Sequence, residues 1–334
     1  MVASVLRLLS VLVVLAIGAD AHGQGREPED DPMAPQSFVD GEGVSEDVAR
    51  TDSTEPDVFE TTALREAPQA RLSWPEEWGS FGLWDYGLLG GAMAVTVGTQ
   101  LVGPLNVGDP RAGTGWQTTS RFDDVVRRNL RRDDLEERSR VRDASDLVLS
   151  LAVSFPFLFD GLVSAFWYHE SPEVGRELTL LAIEVQFVTA AIQSTANMLA
   201  SRVRPYVRDC GGELAEDNGD CTGSVRFRSY FSGHTSQAFA GAVTSCVFHA
   251  KFPLYGGGSK DVLPCIGLLA GASAVGVFRM MGDMHYVTDV LSGALVGTAV
   301  GLALPLLRMR NLERGRHVSI VPNGLGLAVV GSLR

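Results

Sequence analysis

Long uncharged runs alternate with polar segments over most of the chain after residue 74. Six runs approach the ~20 residues that cross a bilayer as an α-helix. They cover residues 86–105, 147–167, 178–200, 234–249, 262–278 and 290–307. In the third run Gln186, Gln193 and Asn197 share one helix face, as expected for a polar face turned into a bundle. The pattern predicts an all-α, multi-pass transmembrane bundle of about six helices, with a soluble bundle around a very apolar core as the alternative.

Small residues recur in the last two runs. Gly267 and Gly271 lie one helical turn apart in the fifth run, and Gly293 and Gly297 do the same in the sixth. Small residues at this spacing let membrane helices approach closely. We therefore expect helix–helix contacts at both pairs.

The N-terminal part has a different character. Arg7 precedes an apolar run at residues 8–18, and residues 19–21 have the small-x-small form of a cleavage site, so residues 1–21 predict a signal peptide. An uncleaved anchor helix is the alternative. Residues 22–72 hold 13 acidic residues and four arginines among Pro, Ser and Thr, which predicts an acidic disordered tether.

Composition excludes two classes of protein. With a net charge of −12 the chain as a whole shows no clustered positive charge for phosphate contacts, so we predict no nucleic-acid partner. Four cysteines are too few for a disulfide-built miniprotein of this length. Residues 73–307 form the predicted membrane domain. Residues 308–334 form a basic tail, in which a Pro322-Asn323-Gly324 turn predicts a short hairpin.

Residues 106–143 are dense in charge and lie outside the apolar runs. Four arginines, Arg127, Arg128, Arg131 and Arg132, are followed by a group of acidic residues. A solvated helix face with ion pairs between residues four apart is the favoured interpretation. A helix lying on the membrane surface against anionic headgroups is the alternative.

Candidate chemistry lies at the ends of three predicted helices. Each residue alone has an ordinary structural explanation, such as an interfacial arginine or a helix start. Together they predict an anion-binding cradle with two imidazoles, because a capped helix N-terminus also binds anions. His285 and Asp289 lie four residues apart, so the carboxylate can accept the imidazole N–H on a helix. The set comprises Arg204 before Pro205, then Ser232, Gly233 and His234, then Arg279, His285 and Asp289.

These motifs, in this order, resemble the three-part signature of the type 2 phosphatidic acid phosphatase superfamily, which includes lipid phosphatases, soluble acid phosphatases and vanadium haloperoxidases. The resemblance covers about residues 86–307. It implies His285 as the nucleophile, Asp289 as the residue that orients it, and His234 as the acid and then the base. It implies phosphate binding by Arg204, Ser232, Gly233 and Arg279, with no metal or cofactor.

The main departure from the family pattern is Asn197, which occupies the phosphate-binding position where the family usually has a lysine. Phe231 and Phe278 also replace the usual Pro and Ser, which affects loop geometry more than charge. Arg202 or Arg226 could compensate for the missing cation.

We interpret the chain as an integral membrane phosphatase that acts on a lipid or polyprenyl phosphate through a phosphohistidine. A non-hydrolytic phospholipid-binding member and a vanadate-dependent haloperoxidase are the alternatives. The lipid is the one partner predicted, and the sequence assigns no oligomeric state.

Sequence signals disagree about the membrane face that carries the site. A cleaved signal followed by three spans, and the arginines before Asp143, favour the cytoplasm. Cys210 and Cys221 bracket a polar loop beside Arg204 and would pair in an oxidising compartment, and the basic tail opposite the site favours the reverse. Bacterial members of the family generally work at the outer face of the inner membrane. We predict an inner-membrane protein with a periplasmic active site and a Cys210–Cys221 disulfide.

Overall fold

The computed structural model describes residues 70–105, 107, 119–215, 217–310, 318–323 and 326–331. The predicted signal peptide at residues 1–21 and nearly all of the predicted tether at residues 22–72 lie outside the described residues. What the structure describes is a helical bundle followed by a β-hairpin.

Helices occupy all six segments predicted as membrane helices, and a further helix lies in the charged segment. The helices are α1 (Leu83–Val102), α2 (Arg121–Leu130), α3 (Leu135–Ser154), α4 (Pro172–Ala200), α5 (Gly233–Lys251), α6 (Ser259–Met281) and α7 (Val287–Arg308). A π-helical segment, Phe155–Tyr168, continues directly from α3. After α7, β1 (Val318–Asn323) pairs antiparallel with β2 (Gly326–Gly331), with Asn323 opposite Gly326.

Four stretches of the described chain are long and apolar enough to cross a membrane. They are Leu135–Tyr168, Pro172–Asp209, Ser259–Met281 and Val287–Arg308. The chain is thus an all-α membrane helix bundle, which confirms the predicted fold class. The predicted runs in α1 and α5 are less apolar. α1 begins with Asp85 in its first turn and holds four glycines, whereas α5 is shielded because α3, α4, α6 and α7 all pack against it.

α5 and α7 lie close together because glycines on α7 leave no side chain between the two backbones. A Cβ at Gly293 would lie 2.6 Å from the Ser232 carbonyl oxygen, and one at Gly297 would lie closer still to that of Ser236. The predicted contact at Gly293 and Gly297 is therefore confirmed. The corresponding expectation for α6 is wrong at Gly267, which is exposed and has nothing within 4 Å of an added Cβ.

The charged segment makes long-range ion pairs instead of the predicted solvated face. Arg127 on α2 donates two hydrogen bonds to Asp283, at 2.8 and 2.6 Å, and a third to Asp209 at 3.2 Å. Among the described residues of this segment, Glu136 and Arg140 do pair at the predicted spacing of four. The prediction fails for Arg127 because loops that follow α4 and α6 bring carboxylates to it from elsewhere in the chain.

A buried polar cluster ties the bundle together toward the end of α5 away from Gly233. His249 Nε2 lies 3.1 Å from Asp160 Oδ1, and its Nδ1 lies 2.5 Å from Asp261 Oδ1. A Cys246–Cys265 disulfide, which the sequence does not predict, joins α5 to α6 beside a cavity of about 450 Å³. This cluster cross-links the π-helical segment, α5 and α6.

Candidate active site

The predicted motif residues converge at the end of the bundle where α4 and α6 finish and α5 and α7 begin. α4 ends at Ala200, where the third apolar run also ends, and Arg204 follows in extended backbone before Pro205. Arg204 and His285 are almost fully buried. The positive charges of Arg204, Arg279 and His234 all act on the imidazole of His285. Three distant segments thus form one site.

His285 is held as a neutral imidazole with one nitrogen fixed. Its Nδ1 lies 2.8 Å from the backbone carbonyl oxygen of Ser229, an acceptor, so Nδ1 carries the proton and Nε2 keeps its lone pair. Burial, followed by the positive charges of Arg204 and Arg279, holds the pKa of His285 well below its usual value of 6.5. An imidazole in this form is a nucleophile.

Asp289 does not form the predicted hydrogen bond with His285. The two side chains are 4.0 Å apart, from Oδ2 to Nδ1. The carboxylate instead accepts from the backbone N–H of Tyr286 at 2.9 Å and from the Ser229 hydroxyl at 2.6 Å. The prediction is wrong because Asp289 caps the N-terminus of its own helix α7. Ser229 takes its place as the direct partner of His285.

His234 has a partner that the sequence analysis missed. Its Nε2 lies 2.9 Å from Asp146 Oδ1, and the same oxygen accepts a hydrogen bond from Arg279 at 3.1 Å. Asp146 belongs to α3, and its side chain is 56% exposed, so it lies at the open side of the site. The carboxylate connects the predicted acid to a predicted phosphate-binding arginine.

Ser232 and Gly233 start α5 as predicted. The Ser232 hydroxyl accepts the backbone N–H of Thr235, and its own backbone N–H donates to the Asp289 carbonyl at 3.1 Å. A Cβ at Gly233 would lie 3.0 Å from the side chain of Gln193 on α4. Glycine therefore lets α4 pack against the start of α5, and the N-terminus of a helix is a place where backbone amides can bind an anion.

Asn197 is buried, and its amide contacts the backbone of the loop that precedes α5. In one orientation the amide nitrogen donates to the Phe231 carbonyl at 3.4 Å, and in the flipped orientation it donates to those of Arg228 and Tyr230. These contacts hold the loop in place. Neither orientation supplies the positive charge of the usual lysine.

The two arginines suggested as substitutes have other contacts. Arg202 donates to the carboxylates of Asp123 and Asp289. Arg226 donates to the backbone carbonyl of Cys221. Because Arg202 is held by two carboxylates, it is not available to replace the missing cation.

The predicted disulfide beside the site is confirmed. Cys210 and Cys221 are joined with an Sγ–Sγ distance of 1.99 Å and close the loop that follows Arg204. Within the residues that the structure describes, no three His, Cys, Asp or Glu side chains converge as they would around a metal ion.

Residues 178–313 match the family model of the PAP2 superfamily. This part of the chain is similar to the PAP2 superfamily. It contains all the motif residues predicted from the sequence, whereas Asp146 lies outside it. A lipid A 1-phosphatase of Porphyromonas gingivalis is 38% identical over 73 residues, which make up 22% of this chain and 15% of that protein. The similarity therefore spans a small part of the relative, and no solved structure matches the chain.

Proposed function

We propose that this protein is an integral membrane phosphatase that hydrolyses a lipid or polyprenyl phosphate through a phosphohistidine intermediate. The observation that carries the proposal is the neutral His285, whose Nδ1 is fixed by Ser229 and whose Nε2 is left to attack. Positive charge from Arg204 and Arg279 acts on the same imidazole. A phosphoryl group needs this combination of a positioned nucleophile and stabilised oxygens.

In the first step Nε2 of His285 attacks phosphorus, and a nitrogen–phosphorus bond forms as the bond to the lipid oxygen breaks. His234 gives its proton to that leaving oxygen. The side chains of Arg204 and Arg279, with backbone amides at Gly233, stabilise the phosphoryl oxygens. Asp146, in hydrogen-bond contact with His234, favours the protonated imidazole that this step requires.

In the second step His234, now neutral, takes a proton from water as the water oxygen attacks phosphorus. The nitrogen–phosphorus bond breaks, phosphate leaves, and His285 returns to its neutral form. Each histidine therefore ends the cycle in the protonation state in which it began.

A lipid substrate is supported by the location of the site and by the relative. The site lies at one end of a bundle whose outer face carries large apolar side chains such as Leu263, Leu291 and Leu295. The similar protein from Porphyromonas gingivalis is named for a phosphatase activity on lipid A. We place the site on the periplasmic face of the bacterial inner membrane.

A second candidate is a non-hydrolytic member that binds lipid phosphate. Asn197 favours it, because the amide lacks the positive charge that the family usually places there. Such a protein would bind phosphorylated lipid without releasing phosphate.

Phosphate release and phosphoenzyme trapping by the purified protein in detergent test the proposal. The substrates are phosphatidate, phosphatidylglycerol phosphate, undecaprenyl pyrophosphate and lipid A, with an aryl phosphate that has a good leaving group. His285→Ala should lose turnover by several orders of magnitude and form no phosphoenzyme, whereas His234→Ala should lose about 10²–10⁴-fold on lipids. With the aryl phosphate, His234→Ala should accumulate phosphoenzyme, because that leaving group needs no acid.

His317→Ala in the C-terminal tail is the matched control and should behave like the wild type. Full turnover by His285→Ala would contradict the mechanism. Lipid binding without phosphate release by the wild type would favour the non-hydrolytic alternative.

A further inference from the structure

A buried ion-pair network connects α2 to residues 283–288, the catalytic loop that carries His285. The Arg202 guanidinium lies between two carboxylates, with Nη2 2.9 Å from Asp123 Oδ2 and Nη1 2.5 Å from Asp289 Oδ1. Thr288 adds three hydrogen bonds, because its N–H and hydroxyl donate to Asp123 and the hydroxyl also accepts from Arg202. Asp123, Arg202 and Asp289 are 1%, 6% and 0% exposed, so water does not replace these contacts.

The network reaches His285 through Ser229. Asp289 accepts the Ser229 hydroxyl at 2.6 Å, and the Arg202 backbone carbonyl accepts the Ser229 N–H at 3.0 Å. The Ser229 carbonyl then accepts the Nδ1 proton of His285 at 2.8 Å. Arg202 thus holds Ser229 in two ways. Its backbone carbonyl accepts the Ser229 N–H, and its guanidinium binds Asp289, which accepts the Ser229 hydroxyl.

α2 also holds the catalytic loop on the other side of His285. The Arg127 guanidinium makes a bidentate pair with the Asp283 carboxylate, with hydrogen bonds of 2.8 and 2.6 Å. Asp283 lies two residues before His285, and Thr288 lies three residues after it. The helix therefore contacts the loop on both sides of the nucleophile, through residues of opposite charge.

A buried guanidinium needs its carboxylates. Removing one partner from such a pair leaves an uncompensated charge in a medium of low dielectric constant. Although burial alone would raise the pKa of Asp123, hydrogen bonds from Thr288 and Arg202 hold it below the usual value. Asp123 therefore stays ionised at neutral pH, as the contact with Arg202 requires.

We propose that Asp123 is a positioning residue that completes the active site from outside the family domain. It acts through Arg202 and Asp289 on Ser229, whose carbonyl selects the form of His285 with a proton on Nδ1. The proposal rests on the proposed phosphatase function. Asp123 lies outside residues 178–313, so the inference assigns part of the catalytic geometry to a helix that the family match does not include.

The test compares Asp123→Asn with Asp124→Asn, a control of the same chemistry on the neighbouring residue, whose carboxylate pairs with the partly exposed Arg208. Asp123→Asn should lower kcat by about 10–100-fold with little change in KM. Losses of this size are typical when a residue that orients a metal-binding histidine is removed, and Asp123 would orient His285 in a similar way. The trapped phosphohistidine should change from pure Nε2-linked to a mixture with the Nδ1-linked isomer. Asp124→Asn should keep both wild-type properties.

Two further measurements separate this proposal from folding and from the proposed function. Thr288→Val keeps the side-chain shape, removes the hydroxyl between Asp123 and Arg202, and should produce a smaller shift of the same kind. Nitrogen-15 NMR of labelled histidine reads the His285 tautomer without catalysis, and Asp123→Asn should increase the form protonated on Nε2. If the wild type hydrolyses no phosphate but this shift occurs, the function fails and the positioning role stands. If kcat, the phosphohistidine isomer and the tautomer in Asp123→Asn all match Asp124→Asn, the positioning role is overturned.

Discussion

His285 owes its nucleophilic form to burial and to neighbouring positive charge rather than to a carboxylate. Burial disfavours the imidazolium, and the charges of Arg204, Arg279 and His234 disfavour it further. The Ser229 carbonyl then decides which nitrogen carries the remaining proton. In the proposed mechanism, these contacts leave Nε2 ready to attack before any substrate binds.

The low pKa of His285 links folding stability to pH. In the unfolded chain the pKa returns to about 6.5, so between the lowered pKa of the folded state and 6.5 the unfolded state binds a proton that the folded state does not. The free energy of unfolding should therefore rise with pH up to about 6.5, by at most about 1.4 kcal/mol per pH unit from this group. Thermal unfolding in detergent at a series of pH values measures the slope.

In His285→Gln the same unfolding series should have a slope smaller by about one proton. Glutamine keeps a donor for the Ser229 carbonyl and does not titrate. A slope equal to that of the wild type would mean that His285 does not titrate below its usual range.

Asp146 is expected to matter for substrates with poor leaving groups. Its carboxylate contacts His234 and Arg279 through one oxygen, which favours the protonated imidazole and fixes both side chains. Asp146→Asn should lower kcat on alkyl phosphates by about 10-fold or more and leave the formation of phosphoenzyme from an aryl phosphate nearly unchanged. The control is Asp143→Asn, an exposed position one turn earlier on α3. Equal losses on both substrates would contradict a role through the acid.

At the level of residues, the sequence predicts which side chains form the site better than it predicts their partners. His234, His285 and Arg279 belong to short local patterns, and the structure brings them together. Asp146 is 88 residues from His234 along the chain, so no local spacing connects the two. Within the site, the partner inferred from spacing, Asp289 for His285, is wrong because helix capping competes for the same carboxylate.

Helix contacts in this bundle depend on where small residues lie more than on how many there are. A Cβ at Gly301 would lie 2.7 Å from the Ala240 carbonyl oxygen, and Gly293 and Gly297 continue the same line along α7. Both helices start at the active site, so this contact also sets the distance between Ser232 and Asp289. Close packing of α5 and α7 is therefore part of the catalytic geometry.

We expect Gly297→Ala to destabilise the bundle and Gly267→Ala to leave it intact. The added methyl group at Gly297 meets the Ser236 carbonyl oxygen, and overpacking of this kind costs about 1–3 kcal/mol. At Gly267 the methyl group meets open space, and alanine is the better helix former by up to about 1 kcal/mol. Thermal unfolding of both variants in the same detergent measures the difference. Equal stability of the two variants would contradict the contact.

At the level of elements, apolar runs identify the helices but misplace some of their ends. α4 begins at Pro172, six residues before its predicted start, because Glu173, Arg176 and Glu177 interrupt the apolar pattern without interrupting the helix. Proline is well suited to the first turn, where its missing N–H has no helical partner. α5 shows a second limit of hydropathy patterns. Its polar residues are covered by neighbouring helices, and a pattern along the sequence takes no account of those neighbours.

The first helix of the bundle starts, and the last helix ends, at the same end of the bundle, opposite the active site. Asp85 at the start of α1 pairs with Arg308 at the end of α7. Gln100 at the end of α1 contacts Arg228, in the loop beside the active site. α1 therefore runs from the far end of the bundle to the end that carries the site, and the C-terminal tail leaves from the far end.

Charge favours one orientation of this bundle in the membrane over the other. The arginines before Asp143 favour a cytoplasmic site by sequence. Three of them, Arg127, Arg131 and Arg138, pair with carboxylates of the site loops. Carboxylates of the protein itself therefore balance their positive charge, so these arginines count less toward a cytoplasmic site. α7 ends at the far end with Arg308, and Arg310 follows it, which favours a cytoplasmic far end. The sequence adds Arg314 and Arg316 after these residues. One disulfide lies near the site and the other toward the far end of α5, so the disulfides favour neither orientation.

We therefore predict that the active site faces the periplasm, and single-cysteine reporters at the two ends of the bundle test it. In a variant with all four native cysteines changed to serine, Asp217→Cys reports on the site end and Lys260→Cys on the far end, since both positions are exposed. A membrane-impermeant maleimide should label the Asp217→Cys protein in intact spheroplasts and the Lys260→Cys protein only after lysis. A cleaved signal at residues 1–21 would export the chain before α1 and so favours the opposite orientation. The reverse labelling pattern would thus place the site in the cytoplasm and support cleavage of that signal.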